Sequence, residues 1–257
     1  MRIRRHAKPP ATAARIYWDS LPVSMMMKTT ISPRDAMFHG NYDHYYAVGQ
    51  SAVLNIRCAL QLSQAPPPTR ILDLPCGHGR VLRALRAEYP GAEISACDID
   101  LDGVEFCREE FGAVPIQSNE DCSKIPLAGY YDLIWCGSLL THINADRLRA
   151  FLRFFVDHLS PGGTLVFTTH GKRAIQRYRA GVANYFPGSA IVFEETIRQY
   201  EQSGFGYRDY PDATDYGISL TRPTWITREI EALPTLNLLL VHEAGWDNHQ
   251  DVFACTH

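Results

Sequence analysis

Between Arg70 and Gly171 short aliphatic or β-branched runs alternate with stretches whose apolar residues recur every three or four positions. Parallel strands need a crossover connection, usually a helix, so this rhythm commits the segment to βαβ units in a mainly parallel sheet. The expected strands are Arg70 to Leu74, Glu93 to Cys97, Val114 to Gln117, Tyr131 to Cys136 and Thr164 to Thr169. One helix is expected from Arg80 to Tyr89 and another from Ala145 to Leu159. In the second, Leu148, Phe151, Leu152, Phe155 and Leu159 keep one face, a stripe that belongs in a core. Ser160-Pro161-Gly162-Gly163 should stop that helix and turn the chain into the next strand.

The flanks divide the chain further. Pro66-Pro67-Pro68 makes a stiff break after a helix expected at about Tyr45 to Leu62, which leaves residues 1–64 as a lid or brace. Residues 172–223 are rich in Tyr and Phe but show no strand-helix rhythm, and read as an insertion over one face that shapes an acceptor pocket. Regular patterning returns with a helix over Trp225 to Leu233 and strands over Asn237 to Val241 and Asp251 to Thr256, so that residues 65–171 and 224–257 make one core.

A length of 257 residues suits a single α/β domain with embellishments. The net charge of −3 gives no general attraction to phosphate backbones, which disfavours nucleic acid as a partner. The basic start MRIRRHAKPP is not followed by the apolar run of a signal peptide, and no stretch approaches the ~20 apolar residues of a membrane span. Seven cysteines stand singly with no CxxC pair, which points to a reducing, cytoplasmic setting without a zinc site.

The chemistry concentrates in Ile71-Leu72-Asp73-Leu74-Pro75-Cys76-Gly77-His78-Gly79-Arg80, an apolar strand entering a glycine turn that opens a helix. Glycines there let backbone approach a ligand at the carboxyl end of the first strand, where open parallel sheets bind their ligands. Asp98 follows nineteen residues after Gly79, ending the second strand, the place from which a carboxylate accepts hydrogen bonds from ribose hydroxyls. A nicotinamide dehydrogenase would want a third glycine three positions after Gly79, and Leu82 stands there. Asp73 suits a ligand carrying an ammonium group.

At these residues the sequence resembles the class I S-adenosylmethionine-dependent methyltransferases. Their acid-x-Gly-x-Gly-x-Gly loop is matched by Asp73 to Gly79 with Pro75 in place of the first glycine, and Tyr131 to Cys136 and Leu159 to Thr164 match the fourth strand and the entry to the fifth. The resemblance implies a doubly wound, Rossmann-like α/β fold: a seven-stranded, mostly parallel sheet with an antiparallel last strand, plus an N-terminal helical extension and an insertion after the fifth strand. It implies S-adenosyl-L-methionine as cofactor, held by Asp73, Pro75, Gly77, Gly79, Asp98, Ile99 and Cys136, with Asn119 facing the adenine.

Two histidines end neighbouring strands, His142 after the fourth and His170 after the fifth, where cofactor and acceptor should meet. Either suits a general base for an acceptor hydroxyl, since imidazole is largely neutral near pH 7. No helix-spaced partner accompanies them, so no metal is assigned. The reading is a methyltransferase for a small acceptor, saccharide-like or phenolic, with methylation at oxygen. Methylation at nitrogen, or a non-catalytic module that keeps the cofactor pocket, are the alternatives; oligomeric state leaves no trace in the sequence.

Overall fold

The computed structural model describes residues 27–185 and 190–257, so the basic amino-terminal segment lies outside the described residues. Seven strands form one sheet in the order β3-β2-β1-β4-β5-β9-β8. They are β1 (Arg70–Asp73), β2 (Glu93–Asp98), β3 (Val114–Gln117), β4 (Tyr131–Cys136), β5 (Leu159–Thr169), β8 (Asn237–Trp246) and β9 (Gln250–Thr256). β1 pairs in parallel with both β2 and β4, β2 with β3 and β4 with β5, while β9 runs antiparallel to β5 and to β8. The strand order reverses between β1 and β4, which opens a crevice beyond their carboxyl ends.

Both faces of the central strands are covered, which is why they read as near-continuous apolar runs. Successive side chains alternate between two core layers. Ile71, Leu133 and Trp135 face α1 (Tyr42–Ser63), α2 (Leu82–Glu88) and α3 (Leu101–Phe111), among Ile56, Leu85 and Phe111. Leu72, Ile134 and Phe167 face α4 (Ala145–Asp157) and α7 (Pro223–Glu231), among Phe151, Phe155 and Ile226.

Several local expectations shift. α4 ends at Asp157, and Leu159 opens β5 beside Tyr131, with a register slip before Leu133. The leucine is buried either way, so its apolar character could not tell a last helical turn from a first strand residue. α3 was not anticipated; its marks are the Asp100 side chain accepting from the Asp102 amide and Gly112 at φ +62° as the left-handed stop.

Residues 172–223, read as lacking rhythm, carry α5 (Lys172–Arg179), α6 (Ala190–Ser203) and an antiparallel pair, β6 (Phe205–Asp209) with β7 (Gly217–Thr221). Five-residue strands separated by a seven-residue polar loop are too short to impose visible alternation. This unit has its own core of Ile175, Phe193, Ile197, Tyr200, Ile218 and Leu220. β7 docks on the sheet's rim: the Gly217, Ser219 and Thr221 amides donate to the His142, Thr141 and His170 carbonyls, each at 2.8 Å. At the other end Arg83, fully buried, donates to the Lys28 and Thr30 carbonyls at 2.9 Å, pinning the segment before α1 across the core.

Candidate active site

The β1–α2 turn is fixed from below by backbone bonds, Leu74 N–H to the Trp135 carbonyl and Cys76 N–H to the Cys97 carbonyl, both 3.0 Å. Gly77 and Gly79 have φ of +48° and +79°, in the left-handed region that favours glycine. A Cβ on Gly79 would lie 2.5 Å from the Phe111 ring, so that glycine serves close packing of α3, whereas a Cβ on Gly77 would meet nothing within 4 Å. Gly77 borders open space, and Gly103 of α3 approaches its carbonyl from behind, where a Cβ would come within 2.5 Å. Asp98 braces the loop: its carboxylate accepts from the Gly77 amide at 2.7 Å and from the Asp100 amide at 2.9 Å. Burial outweighs those bonds and holds its carboxyl above the ordinary carboxylate range.

Above the turn lie two adjoining cavities of about 320 and 660 Å³ that share Pro75, Asp98, Ile99, Leu139 and Tyr216. The first also takes in Gly77, Arg80, Ser138, His142, Trp246 and Asp35. The second runs over the end of β3 to Ser118, Asn119 and Glu120, under Asp212 and Thr214 of the β6–β7 loop. The Asn119 side-chain carbonyl accepts from the Asp121 amide at 3.0 Å, and the Asp121 carboxylate in turn caps residues 122–124 through the Ser123 amide at 3.1 Å.

Asp73 is 1% exposed, and among the described residues neither of its carboxylate oxygens has a hydrogen-bond partner. Burial and the nearby Asp98 raise its carboxyl well above the ordinary range. A buried carboxyl left unpaired beneath the glycine turn, together with the open space over Gly77, fits a cationic ligand that approaches the backbone closely. The sign of its effect on stability is opposite. With its folded pKa raised, Asp73 binds more protons folded than unfolded above the ordinary carboxylate pKa, so it costs stability as pH rises. Asp73→Asn should therefore raise the unfolding free energy of the ligand-free protein, by about 1 to 3 kcal/mol at pH 8 and less near pH 4. Affinity for S-adenosylhomocysteine should fall in the same variant, with thermal melts and titration calorimetry as the paired readouts.

The two histidines part company. His142 lines the first cavity, its Nδ1 lies 2.8 Å from the Gly217 carbonyl, and its ring stacks on Tyr216 at 5.2 Å between centroids. The Tyr210 hydroxyl also lies 3.1 Å from Nδ1, but the shorter contact is to a carbonyl, which only accepts, and it assigns the proton of the neutral ring to Nδ1 and the lone pair to Nε2. Burial lowers its pKa below the ordinary histidine value. His170, 3% exposed, lines neither cavity; it sits behind His142 at 6.3 Å and beside His249 at 5.0 Å, its Nδ1 without a hydrogen-bond partner among the described residues. Burial drives its pKa far down, so it is a neutral ring at the docking seam of the insertion. Cys136 is likewise fully buried among the α4-side core residues and lines neither cavity.

The sequence profile of the family described as Methyltransferase domain matches residues 72–165. A malonyl-[acyl-carrier protein] O-methyltransferase from Bacillus anthracis is 29% identical over 234 residues, covering 90% of this chain and 85% of that protein. One of the same description from Methylococcus capsulatus is 32% identical, over 59% of this chain and 55% of its own length. Among solved structures, an S-adenosylmethionine-dependent methyltransferase from Clostridium acetobutylicum aligns at a TM-score of 0.55 with 15% identity, over 82% of this chain and 91% of its own. Magnesium protoporphyrin IX methyltransferase from Synechocystis, solved with S-adenosylhomocysteine, aligns at 0.53 with 12% identity, over 87% and 90%. The fold is that of S-adenosylmethionine-dependent methyltransferases. The chain carries a methyltransferase domain over residues 72–165 and shares its fold with solved S-adenosylmethionine-dependent methyltransferases.

Of the residues expected to hold that cofactor, Pro75, Gly77, Asp98, Ile99 and Asn119 gather around the cleft, and Asp73 and Gly79 support it from behind. Sequence reasoning missed Asp35, Arg80 and Trp246, all on the first cavity. The Trp246 indole N–H donates to the Val48 carbonyl at 3.0 Å, and its ring forms part of the cleft wall. Asp209 and Arg208 of β6 line neither cavity, and Asp209 accepts from the Tyr207 hydroxyl.

Proposed function

We propose that the enzyme methylates oxygen on a small acceptor, with His142 as the base that takes the acceptor's proton. The observation that carries this reading is a half-buried histidine on the cleft wall whose Nδ1–H is committed to the Gly217 carbonyl, leaving Nε2 free to accept. Gly77, Asp98 and the β3 turn would hold the cofactor, which when bound supplies an electrophilic methyl group on a sulfonium. Trp246, Leu139 and Tyr216 would exclude water from the reacting pair, and Tyr216 stacked on His142 holds the ring in place. Positioning of this kind supplies much of the rate in a displacement at carbon. Burial keeps His142 neutral at physiological pH, the state in which it can accept a proton.

A second reading rests on the relatives described as malonyl-[acyl-carrier protein] O-methyltransferases. The malonyl group in their name offers a carboxylate, already ionised at neutral pH, so its oxygen needs no base. The two readings share the cofactor site and differ in what His142 does. A turnover assay measuring S-adenosylhomocysteine release, run with hydroxylated small molecules beside malonyl thioesters, separates them. Turnover confined to malonyl thioesters removes the hydroxyl reading, and turnover on neither class leaves oxygen methylation unsupported.

A further inference from the structure

The β6–β7 connection, residues 210–216, roofs the second cavity with Asp212, Ala213 and Thr214, and its Tyr216 reaches both cavities. The loop is closed on itself: the Tyr210 amide donates to the Tyr216 carbonyl at 3.0 Å and the Ala213 amide to the Tyr210 carbonyl at 3.1 Å. These bonds let it move as one piece. Two side chains from the start of α4 clip it down. Asn144 caps α4 with its side-chain oxygen, which accepts from the Arg147 amide at 3.0 Å, and its side-chain amide donates to the Asp215 carboxylate, also at 3.0 Å. Arg147 donates through Nη1 to the Asp215 carbonyl and through Nη2 to the Glu120 carbonyl at 2.7 Å. Glu120 lies in the turn after β3 and lines the same cavity, so one guanidinium ties the roof to that turn. The anchor is rigid, since Leu148, Phe151 and Phe155 bury α4 in the core. The residue it holds is exposed, and stands at φ +57°, a left-handed conformation uncommon outside glycine. Hydrogen bonds at an exposed position compete with water, so a roof held this way is closed at rest and cheap to lift.

We infer that residues 210–216 form a lid, latched by Asn144 and Arg147 through Asp215, and that its opening sets how fast the cofactor and its demethylated product enter and leave the cleft. The inference rests on the reading that places the cofactor's nucleoside in the second cavity. Gly217, whose amide is fixed to the His142 carbonyl at 2.8 Å, ends the loop and marks one hinge. The lid is also coupled to the chemistry: the Tyr216 ring stacks on His142 at 5.2 Å, so lifting the loop uncovers the candidate base and closing it excludes water there. Asp215 itself lines neither cavity, which separates the latch from the walls that a ligand touches.

The test follows S-adenosylhomocysteine binding to the full chain by stopped flow, read by the fluorescence of Trp135 and Trp246 on the wall of the first cavity. Asp215→Gly keeps the left-handed backbone and the carbonyl but removes the carboxylate that Asn144 holds. Arg147→Met removes both bonds of the guanidinium. Each should raise the association and dissociation rate constants together, by about three- to thirtyfold, with their ratio within about threefold of the unsubstituted protein. The ratio holds because a latch away from the ligand is lost equally from the free and the bound forms. Arg147→Lys, with a compact ammonium in place of the planar fork, should fall between. Unchanged rates in variants whose thermal melts show them folded would overturn the lid. So would faster dissociation alone in Asp215→Gly, with affinity falling in step, because the loop would then be part of the ligand's own wall. If the unsubstituted protein binds no S-adenosylhomocysteine, the cofactor reading fails and the lid with it, an outcome distinct from unaltered rates in a protein that binds.

Discussion

His142→Gln is expected to lower kcat on a hydroxyl acceptor by about a hundred- to ten-thousandfold, the usual worth of a positioned general base. Affinity for S-adenosylhomocysteine should stay within about threefold. Glutamine puts its amide where Nε2 stands and cannot take a proton at neutral pH; the side-chain bond to the Gly217 carbonyl is lost, but the backbone bond from the Gly217 amide to the residue 142 carbonyl still docks β7. In the unsubstituted enzyme kcat/KM should rise with pH along a limb lying below the ordinary histidine value, because burial lowers the His142 pKa and no counter-charge pulls it back. That limb should vanish in the Gln variant. The stability effect has the same sign. A histidine held neutral in the fold binds fewer protons than in the unfolded chain, so it destabilises the fold as pH falls below about 6.5. His170, lowered further, and His249, down to about 4, act in the same direction. Near-unchanged turnover with no acid limb would show that the acceptor oxygen arrives already ionised, as the carboxylate reading requires.

Where the sequence spoke clearly, it did so because a backbone requirement selects the residue. Left-handed φ at Gly77 and Gly79 calls for glycine, and an acid at the tip of the adjacent strand is the partner that a turn of exposed amides needs. Both demands are local, so they are written within a short stretch. The apolar runs of β1, β4 and β5 were legible for a similar reason: strands covered on both faces exclude polar residues nearly throughout. Trp246 and Arg80 carry no such mark. Trp246 comes from the last hairpin and Asp35 from the segment before α1, and nothing in either stretch signals that the sheet topology brings them to one wall. The hairpin of β6 and β7 escaped notice because its strands are short and its core partners, Phe193 and Ile197, lie on a helix that precedes it. His142 and His170 looked alike as strand-end histidines, and only the docking of β7 separates them, placing one ring on the cleft and sealing the other behind it.

Asp98→Ala should lower affinity for S-adenosylhomocysteine by about a hundredfold or more, through two losses that act at one side chain. The first is the ligand's own: a carboxylate on both cavities can accept charge-assisted bonds from ribose hydroxyls, worth about 1.5 to 3 kcal/mol. The second is the turn's: without the carboxylate the Gly77 and Asp100 amides lose their acceptor, and a glycine turn that depends on it must pay ordering entropy on binding. Asp98→Asn distinguishes the two. Its amide oxygen can accept from the Gly77 amide as the carboxylate does, so the turn keeps one brace while the charge is gone. If ribose recognition dominates, Asn should bind nearly as weakly as Ala; if bracing dominates, Asn should recover most of the affinity. A thermal melt adds the independent axis, since loss of the brace lowers ligand-free stability in Ala and much less in Asn. Unchanged affinity in a folded Asp98→Ala protein would remove this residue from the site and leave the two cavities without the carboxylate that joins them.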